Sequence, residues 1–477
     1  MEKNMNLNKN TACTVTAGFA SRDITPALGV HLGGGTPGAY RPTRFVKSPL
    51  YAKASIFKAD KTVCTVELDV LIISKKYCDK IKSKIGERLG LPYEAIMVFS
   101  VQAHTAPFVG DCMLDPDFPL EIKKDEEFLT GNITDYSEMV CERAAEAAEE
   151  AYGNLRPLKM DVKSGTLHGL AHCRRIIKRD NTMVMFSNIT KKQNPLGPEI
   201  SHLESPVDDE VGVVCFKDGT EIVGSMLHFT CHPVNDYCSG VYYNAASPDW
   251  CGAWAKGMKD RLGIKNVPSV LNGCCGNVNP HDPYEPDFFP DSDRMGRALT
   301  DLSERIILSM SFECEDTPAV VDYRYAEIPM DYGEMTAEWQ KKVIDTIEGG
   351  PVRREENGDF EYEWSMAASS YSTLCIKRRE PRFMYPVHVF RIGSLAIVAL
   401  AGEPFTDTQL DLKLKSKAPM TYVTHCANRY VGYLPPIKGF AYDGHESNFK
   451  RTYWAKLAPG SIERAEEAAL CQIEEMF

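Results

Sequence analysis

Long apolar runs are missing from this chain. The longest, 395–401, falls far short of the ~20 residues a bilayer-spanning helix needs, so no membrane span is expected. An excess of basic charge is missing too: 54 Lys and Arg stand against 66 Asp and Glu, a formal net charge of −12. That balance argues against nucleic acid as a partner while leaving room for a local basic pocket. No Gly-Lys-Ser/Thr follows the glycines near the N-terminus, which excludes a phosphate loop there. The sixteen cysteines include no Cys-x-x-Cys, and the first ten residues are polar with no apolar stretch of the export type. Reduced thiols in the cytoplasm are therefore the expectation.

What is present is ordinary for a globular protein: 43% hydrophobic and 25% charged residues over 477 positions. No internal repeat is visible, and one catalytic unit spanning 1–477 is the expected organisation, with a charged excursion near 335–365. Period and breakers predict a strand pair at 51–59 and 62–73, and a helix from Ser74 to Gly90 with Tyr77, Ile81, Ile85 and Leu89 on one face. Further helices are expected near 135–152, 249–262, 293–309 and 461–477. Strands are expected at 95–101, 211–216, 221–229, 386–390, 392–400 and 420–427. The fold class is thus mixed α/β, with central sheets flanked by helices. Gly29, Gly33, Gly34, Gly35 and Gly38 crowd one early stretch, which points to a mobile rim or a close backbone approach.

One stretch stands out. Ser269 to Asp282 begins as an apolar strand and breaks into Gly-Cys-Cys-Gly-Asn-Val-Asn-Pro-His-Asp. Gly273 and Gly276 suggest a tight turn with exposed amides, and the adjacent Cys274 and Cys275 suggest packing before redox chemistry. Other apolar strands end in the same way, releasing polar residues at their carboxyl ends: His104, His232, Asn277 with Asn279, Glu403, and Tyr430 with Tyr433. Ligands of α/β proteins gather outside such strand ends. Each residue alone has a structural explanation. Together, two imidazoles, a carboxylate and a phenol make an N/O set suited to zinc in a hydrolytic site.

The ordered series Asp23-Ile24-Thr25-Pro26, Ser48-Pro49-Leu50, Leu68-Asp69-Val70-Leu71, His104-Thr105-Ala106-Pro107, Phe229-Thr230-Cys231-His232-Pro233, Gly276-Asn277-Val278-Asn279-Pro280, Ala401-Gly402-Glu403-Pro404 and Asn428-Arg429-Tyr430-Val431-Gly432-Tyr433 resembles the catalytic domain of the neutral/alkaline ceramidase family along nearly the whole chain. The family's C-terminal immunoglobulin-like domain is not expected here. The resemblance implies a zinc-dependent hydrolase acting on an amide. It implies His232, Glu403 and Tyr433 as metal ligands, and Arg174 as a group at the substrate oxygen. The fourth ligand comes from a two-histidine segment in the family, and here Gln102 and His104 stand at its two histidine positions. Three outcomes stay open: His104 takes the metal, Gln102 binds weakly through oxygen, or zinc is replaced by another divalent metal or by none.

Two further departures follow from the same alignment. Asn279 stands where the family carries its serine nucleophile, its amide expected to orient a water or a substrate carbonyl, and His445-Glu446 replaces a Tyr-Glu pair. Without the serine, metal-activated water is the expected nucleophile for a small amide or ester, with His104 or His445 moving the proton. Arg175, Asn277 and Tyr430 are the expected substrate contacts. An isomerase or lyase acting on a polar sugar-like molecule, and a non-catalytic binding protein that kept the pocket, are the alternatives. Oligomeric state is not readable.

Overall fold

The computed structural model describes residues 11–185, 199–285, 288–314 and 318–477. The first ten residues, on which the expectation of no export signal rests, lie outside them.

Two sheets carry the chain. The larger has eight strands in the order Ser269–Asn272, Glu221–Phe229, Glu210–Asp218, Arg156–Thr166, Cys13–Asp23, Tyr51–Lys58, Thr62–Leu68 and Ile96–Ser100. It is antiparallel through its centre and parallel at both edges. The smaller has four strands, Val321–Met330, Phe383–Ile392, Leu395–Leu400 and Met420–Thr424, the last pair parallel.

Side-chain alternation stacks these sheets. Leu395, Ile397 and Ala399 meet Phe19, Phe57, Phe216 and Tyr422 in a core between the sheets. Ala396, Val398 and Leu400 point the other way, onto Ile462, Ala465, Ala469 and Ile473 of the C-terminal helix Ser461–Met476. The run 395–401 is apolar at every position because both of its faces are covered. Helices Lys75–Leu89, Thr134–Gly153 and Asp249–Leu262 cover the outer face of the large sheet through Ile81, Val140, Trp250 and Trp254. The result is a helix–sheet–sheet–helix sandwich. Ser74 occupies the N-cap of the first helix but makes no side-chain capping bond, and Gly90 ends that helix at φ 69°.

The stretch 335–365 is less exposed than its charge suggests. Residues 351–358 are exposed, but helices Ala337–Glu348 and Tyr362–Arg379 on either side bury Trp339, Val343, Trp364 and Tyr371 in a separate apolar cluster. All sixteen cysteines are free thiols. Among the described residues, no helix is long and apolar enough to cross a membrane.

Candidate functional site

Several chain segments converge just past the strand ends, and backbone bonds tie them to one another. The His104 amide donates to the Pro233 carbonyl (3.1 Å), and the His232 amide to that of Val278 (3.1 Å). Glu403 and Tyr433 are direct partners in a short parallel pair, so their side chains start side by side. The glycines of the Ser269–Asp282 stretch serve space here, not the unusual backbone angles expected of them: neither has a positive φ. A Cβ on Gly276 would lie 2.4 Å from the Glu403 carbonyl, and one on Gly273 would lie 2.2 Å from the side chains of Gln409 and Thr230.

The convergence encloses a cavity of about 200 Å3. Gln102, His104, Glu403, Tyr430, Tyr433 and His445 line its polar end. Leu71, Ile72, Phe108, Met113, Leu114 and Leu129 give the remainder an apolar wall. The glycine-rich segment closes one side by close approach: Gly34, at φ +78°, would set a Cβ 2.7 Å from His104 Nδ1. Buried Arg41 clamps this segment, donating to the carbonyls of Gly33 and His104 with its guanidinium against the rings of Tyr237 and Tyr243. Tyr362, Ser365 and Ser369 of the helix Tyr362–Arg379 also reach the cavity, a contribution hidden in sequence behind the charges at 353–356.

Glu403 is the electrostatic centre. Its carboxylate, 3% exposed, accepts from Tyr430 Oη at 2.6 Å and lies 3.2 Å from His232 Nε2. Burial alone would raise its pKa. The His232 contact and the Tyr430 and Gln102 bonds outweigh burial and hold the group well below the usual carboxylate range. Burial pushes the His104 imidazole down to about 3 and that of His445 down to about 4, so both rings are neutral at pH 7. Burial and the Glu403 charge raise Tyr430 and Tyr433, keeping both phenols protonated. Gln102 holds a left-handed backbone, φ 68°, an arrangement that costs a non-glycine residue ~1–3 kcal/mol and gathers at functional sites.

His232 carries the information on metal fit. Its Nδ1 lies 3.0 Å from the Val278 carbonyl, an atom that can only accept, so Nδ1 bears a proton. Nε2 then faces a carboxylate oxygen, and either a second proton or a cation must lie between the two. Metal-bound histidines are commonly anchored through the other ring nitrogen in this way. His104 Nε2 is buried without a hydrogen-bond partner at the same cavity, its ring centre 5.6 Å from that of His232. Among the described residues there is no group of three or more His, Cys, Asp or Glu side chains poised for a metal. A metal here would draw on His232, Glu403 and His104, with the phenol of Tyr433 and the amide of Gln102 as neutral oxygen donors. Their donor atoms are of kinds that a divalent ion accepts, though they are not gathered into a ligand group in this structure.

Not every candidate reaches the cavity. Arg174 sits one layer back, its guanidinium 5.3 Å from the Tyr433 ring centre and its Nε 2.8 Å from Glu446 Oε1. Arg175, fully buried, is taken up by Glu446 (2.9 Å), Glu204 and the Gly439 carbonyl. The Asn277 side chain accepts from the Thr406 amide at 3.0 Å. Asn279 pairs with His172 in a two-stranded ladder and does not line the cavity. Glu446, the carboxylate that holds both arginines, is absent from the residues the sequence singled out as acting. Its adjacency to His445 was the only signal.

No protein-family model matches this chain, and no curated protein matches it. Solved structures do. One described as a ceramidase complexed with C2 superposes with a TM-score of 0.69 over 97% of this chain and 75% of its own, at 15% identity. The neutral ceramidase from Pseudomonas aeruginosa superposes with a TM-score of 0.68 over 98% and 75%, also at 15% identity. The mixed α/β architecture read from the sequence is therefore the fold of the neutral ceramidases.

Proposed function

We propose that the chain is a metal-dependent hydrolase of a compact amide or ester. The observation that carries this reading is the His232–Glu403 contact, where a proton or a cation must lie between Nε2 and the carboxylate, beside a cavity that also holds the unpartnered His104 Nε2. His232, Glu403 and Tyr433, with His104 or Gln102, would hold the ion, and zinc suits that N/O set. A divalent ion there supplies Lewis acidity and a more acidic water. The likeness of fold to ceramidases supports the same class of bond.

The side chains divide the remaining work. One of the two neutral cavity rings, His104 or His445, accepts a proton from the attacking water and then passes that same proton to the leaving group. Tyr433 keeps its proton and donates to the carbonyl oxygen as charge develops there. Arg174 lies behind the phenol, and its positive charge favours charge build-up on that oxygen. Asn279 offers no nucleophile, so no acyl-enzyme forms. The cavity lies below the ~300–1,000 Å3 of drug-sized pockets, which favours a short acyl group on the apolar wall over a whole two-chain lipid.

The test is a panel of short amides, N-acyl amino sugars and esters offered to metal-depleted protein with zinc, manganese or iron added back. Turnover of a panel member that appears only with added metal is expected. Turnover that ignores chelation sinks the metal role; a protein that holds neither metal nor activity while still binding panel members is a binding protein. Where turnover occurs, no inflection of the pH–rate profile near the ordinary value of ~6.5 should come from either cavity histidine. Both cavity histidines titrate well below it, at about 3 and about 4, so their charging should lower the rate only at or below about pH 4, where the accepting ring can no longer take a proton. An inflection at 6.5 that vanishes in His104→Gln would overturn the assignment of the base.

A further inference from the structure

We infer that the cavity selects a molecule carrying a carboxylate away from the bond to be cleaved, and that His31 Nε2–H donates to that carboxylate beside the Arg41 guanidinium, which has no carboxylate partner among the described residues. The inference rests on the reading of this cavity as a substrate site and names the class of substrate it takes.

His31 lines the cavity beside Thr36, Ala39 and Phe128, and its ring packs against those of Phe128 (5.4 Å) and Tyr40 (5.9 Å). The Arg41 backbone amide meets His31 Nδ1 at 3.0 Å. A backbone N–H can only donate, so Nδ1 holds a lone pair. Burial and the Arg41 charge push the imidazole down to about 3, so the ring is neutral at pH 7 and its one proton is on Nε2. That N–H has no acceptor among the described residues. A buried donor left without an acceptor is costly, and the space that His31 borders is the cavity.

Arg41 supplies the charge. It is 2% exposed, donates to the carbonyls of Gly33 and His104, and lies against Tyr237 and Tyr243. None of these partners is a carboxylate, and among the described residues none acts on Arg41 or on His31. The Asp359 carboxylate reaches the same segment but accepts from the Tyr40 amide in an exposed position. Arg174 and Arg175, by contrast, share Glu446. A buried cation without a counter-charge is unfavourable, and an anion entering the cavity offsets that cost. Glu403, the one acid in the cavity wall among the described residues, is itself offset by whatever cation or proton lies between it and His232. Leu71, Phe108 and Leu129 line the same cavity, so the chain that joins the carboxylate to the amide or ester is short and apolar.

Calorimetric titration of the metal-depleted full chain at pH 7 tests this with two probes of one shape: glutaramate, with one amide and one carboxylate, and glutaramide, with an amide at each end. Glutaramate should bind about tenfold tighter, the gain that a charged acceptor brings to a hydrogen bond. His31→Asn keeps an acceptor where Nδ1 stands and removes Nε2, whereas His31→Gln sets an amide NH2 near the Nε2 position. The preference should shrink in His31→Asn and in Arg41→Met and return in His31→Gln. Equal affinities in the wild type, a preference for glutaramide, no uptake of either probe at millimolar concentration, or a preference that both variants leave untouched each overturns the inference. None of these readouts needs turnover. A carboxylate preference in a protein that hydrolyses nothing leaves the inference standing and sinks the hydrolase reading; metal-dependent turnover without that preference does the reverse. Arg41 also holds Gly33 and His104 in place, so Arg41→Met can fail to fold. Nitrogen-15 shifts of His31 in the unsubstituted protein then decide: a proton on Nε2 is expected, and one on Nδ1 overturns the inference.

Discussion

Glu403→Gln should leave the protein without bound zinc and slow amide or ester hydrolysis by more than ~100-fold. Loss of a ligand is expected to exceed the ~10–100-fold typical of losing a ligand's supporting partner. The substitution keeps the shape of the side chain and removes its charge. The carboxylate is surrounded by groups that presuppose that charge: Tyr430 donates to one oxygen at 2.6 Å, and His232 approaches the other at 3.2 Å. A neutral amide can still accept from Tyr430, so packing survives. Its NH2 can satisfy the His232 lone pair directly, which removes the reason for a cation to sit there. Tyr430→Phe is the matched control: it deletes one donor to Glu403, leaves the carboxylate, and is expected to cost only about tenfold in metal affinity. If Glu403→Gln retains a full equivalent of zinc and works within a few-fold of the wild type, Glu403 is not a ligand and the metal centre is elsewhere or nowhere.

What the sequence made legible follows from where each residue sits. His104, His232, Glu403 and Tyr430 were readable because each follows an apolar strand, and the helix and strand spans came from simple periodicity and breakers. The stacking of two sheets was not readable. An all-apolar run such as 395–401 shows that both faces are covered but not by what, and a helix would cover it as well as a second sheet. The helix Tyr362–Arg379 was missed for a different reason. Its buried residues include Ser365, Ser369, Ser370, Ser372 and Thr373, so no apolar stripe announces it. Arg174 and Arg175 are neighbours in sequence, yet neither lines the cavity. Their partner Glu446 lies some 270 residues away, and only the folded chain brings the three together.

Glu446→Ala is expected to destabilise the protein by ~3–5 kcal/mol at pH 7, the usual cost of removing one partner from a buried ion pair. Glu446 has no exposed surface, and its two oxygens take Arg174 Nε at 2.8 Å and Arg175 Nη1 at 2.9 Å. Arg175 keeps Glu204 and the Gly439 carbonyl after the change, whereas Arg174 keeps only the Tyr433 side chain beneath it. An uncompensated guanidinium would then lie buried beside the cavity. Unfolding entropy scales as ~2.1 cal/mol/K per residue, so for a chain of 477 residues each kcal/mol moves the melting midpoint by only about 1 °C. A fall of ~3–5 °C is the expected reading, and a chemical-denaturant midpoint gives the more sensitive measure. The pH dependence follows from the sign of the shift. The two arginines hold the Glu446 carboxyl below its ordinary range, so its contribution is complete above the unfolded value of ~4.3 and is lost as the pH falls through the lower folded value. The gap between wild type and variant should therefore be full at pH 7 and should narrow below pH ~4. Activity should fall with it, because Arg174 loses the carboxylate that holds it behind Tyr433. Equal denaturation midpoints at pH 7 would mean that desolvation of the three charges cancels their attraction, and that Arg174 is held in place by packing alone.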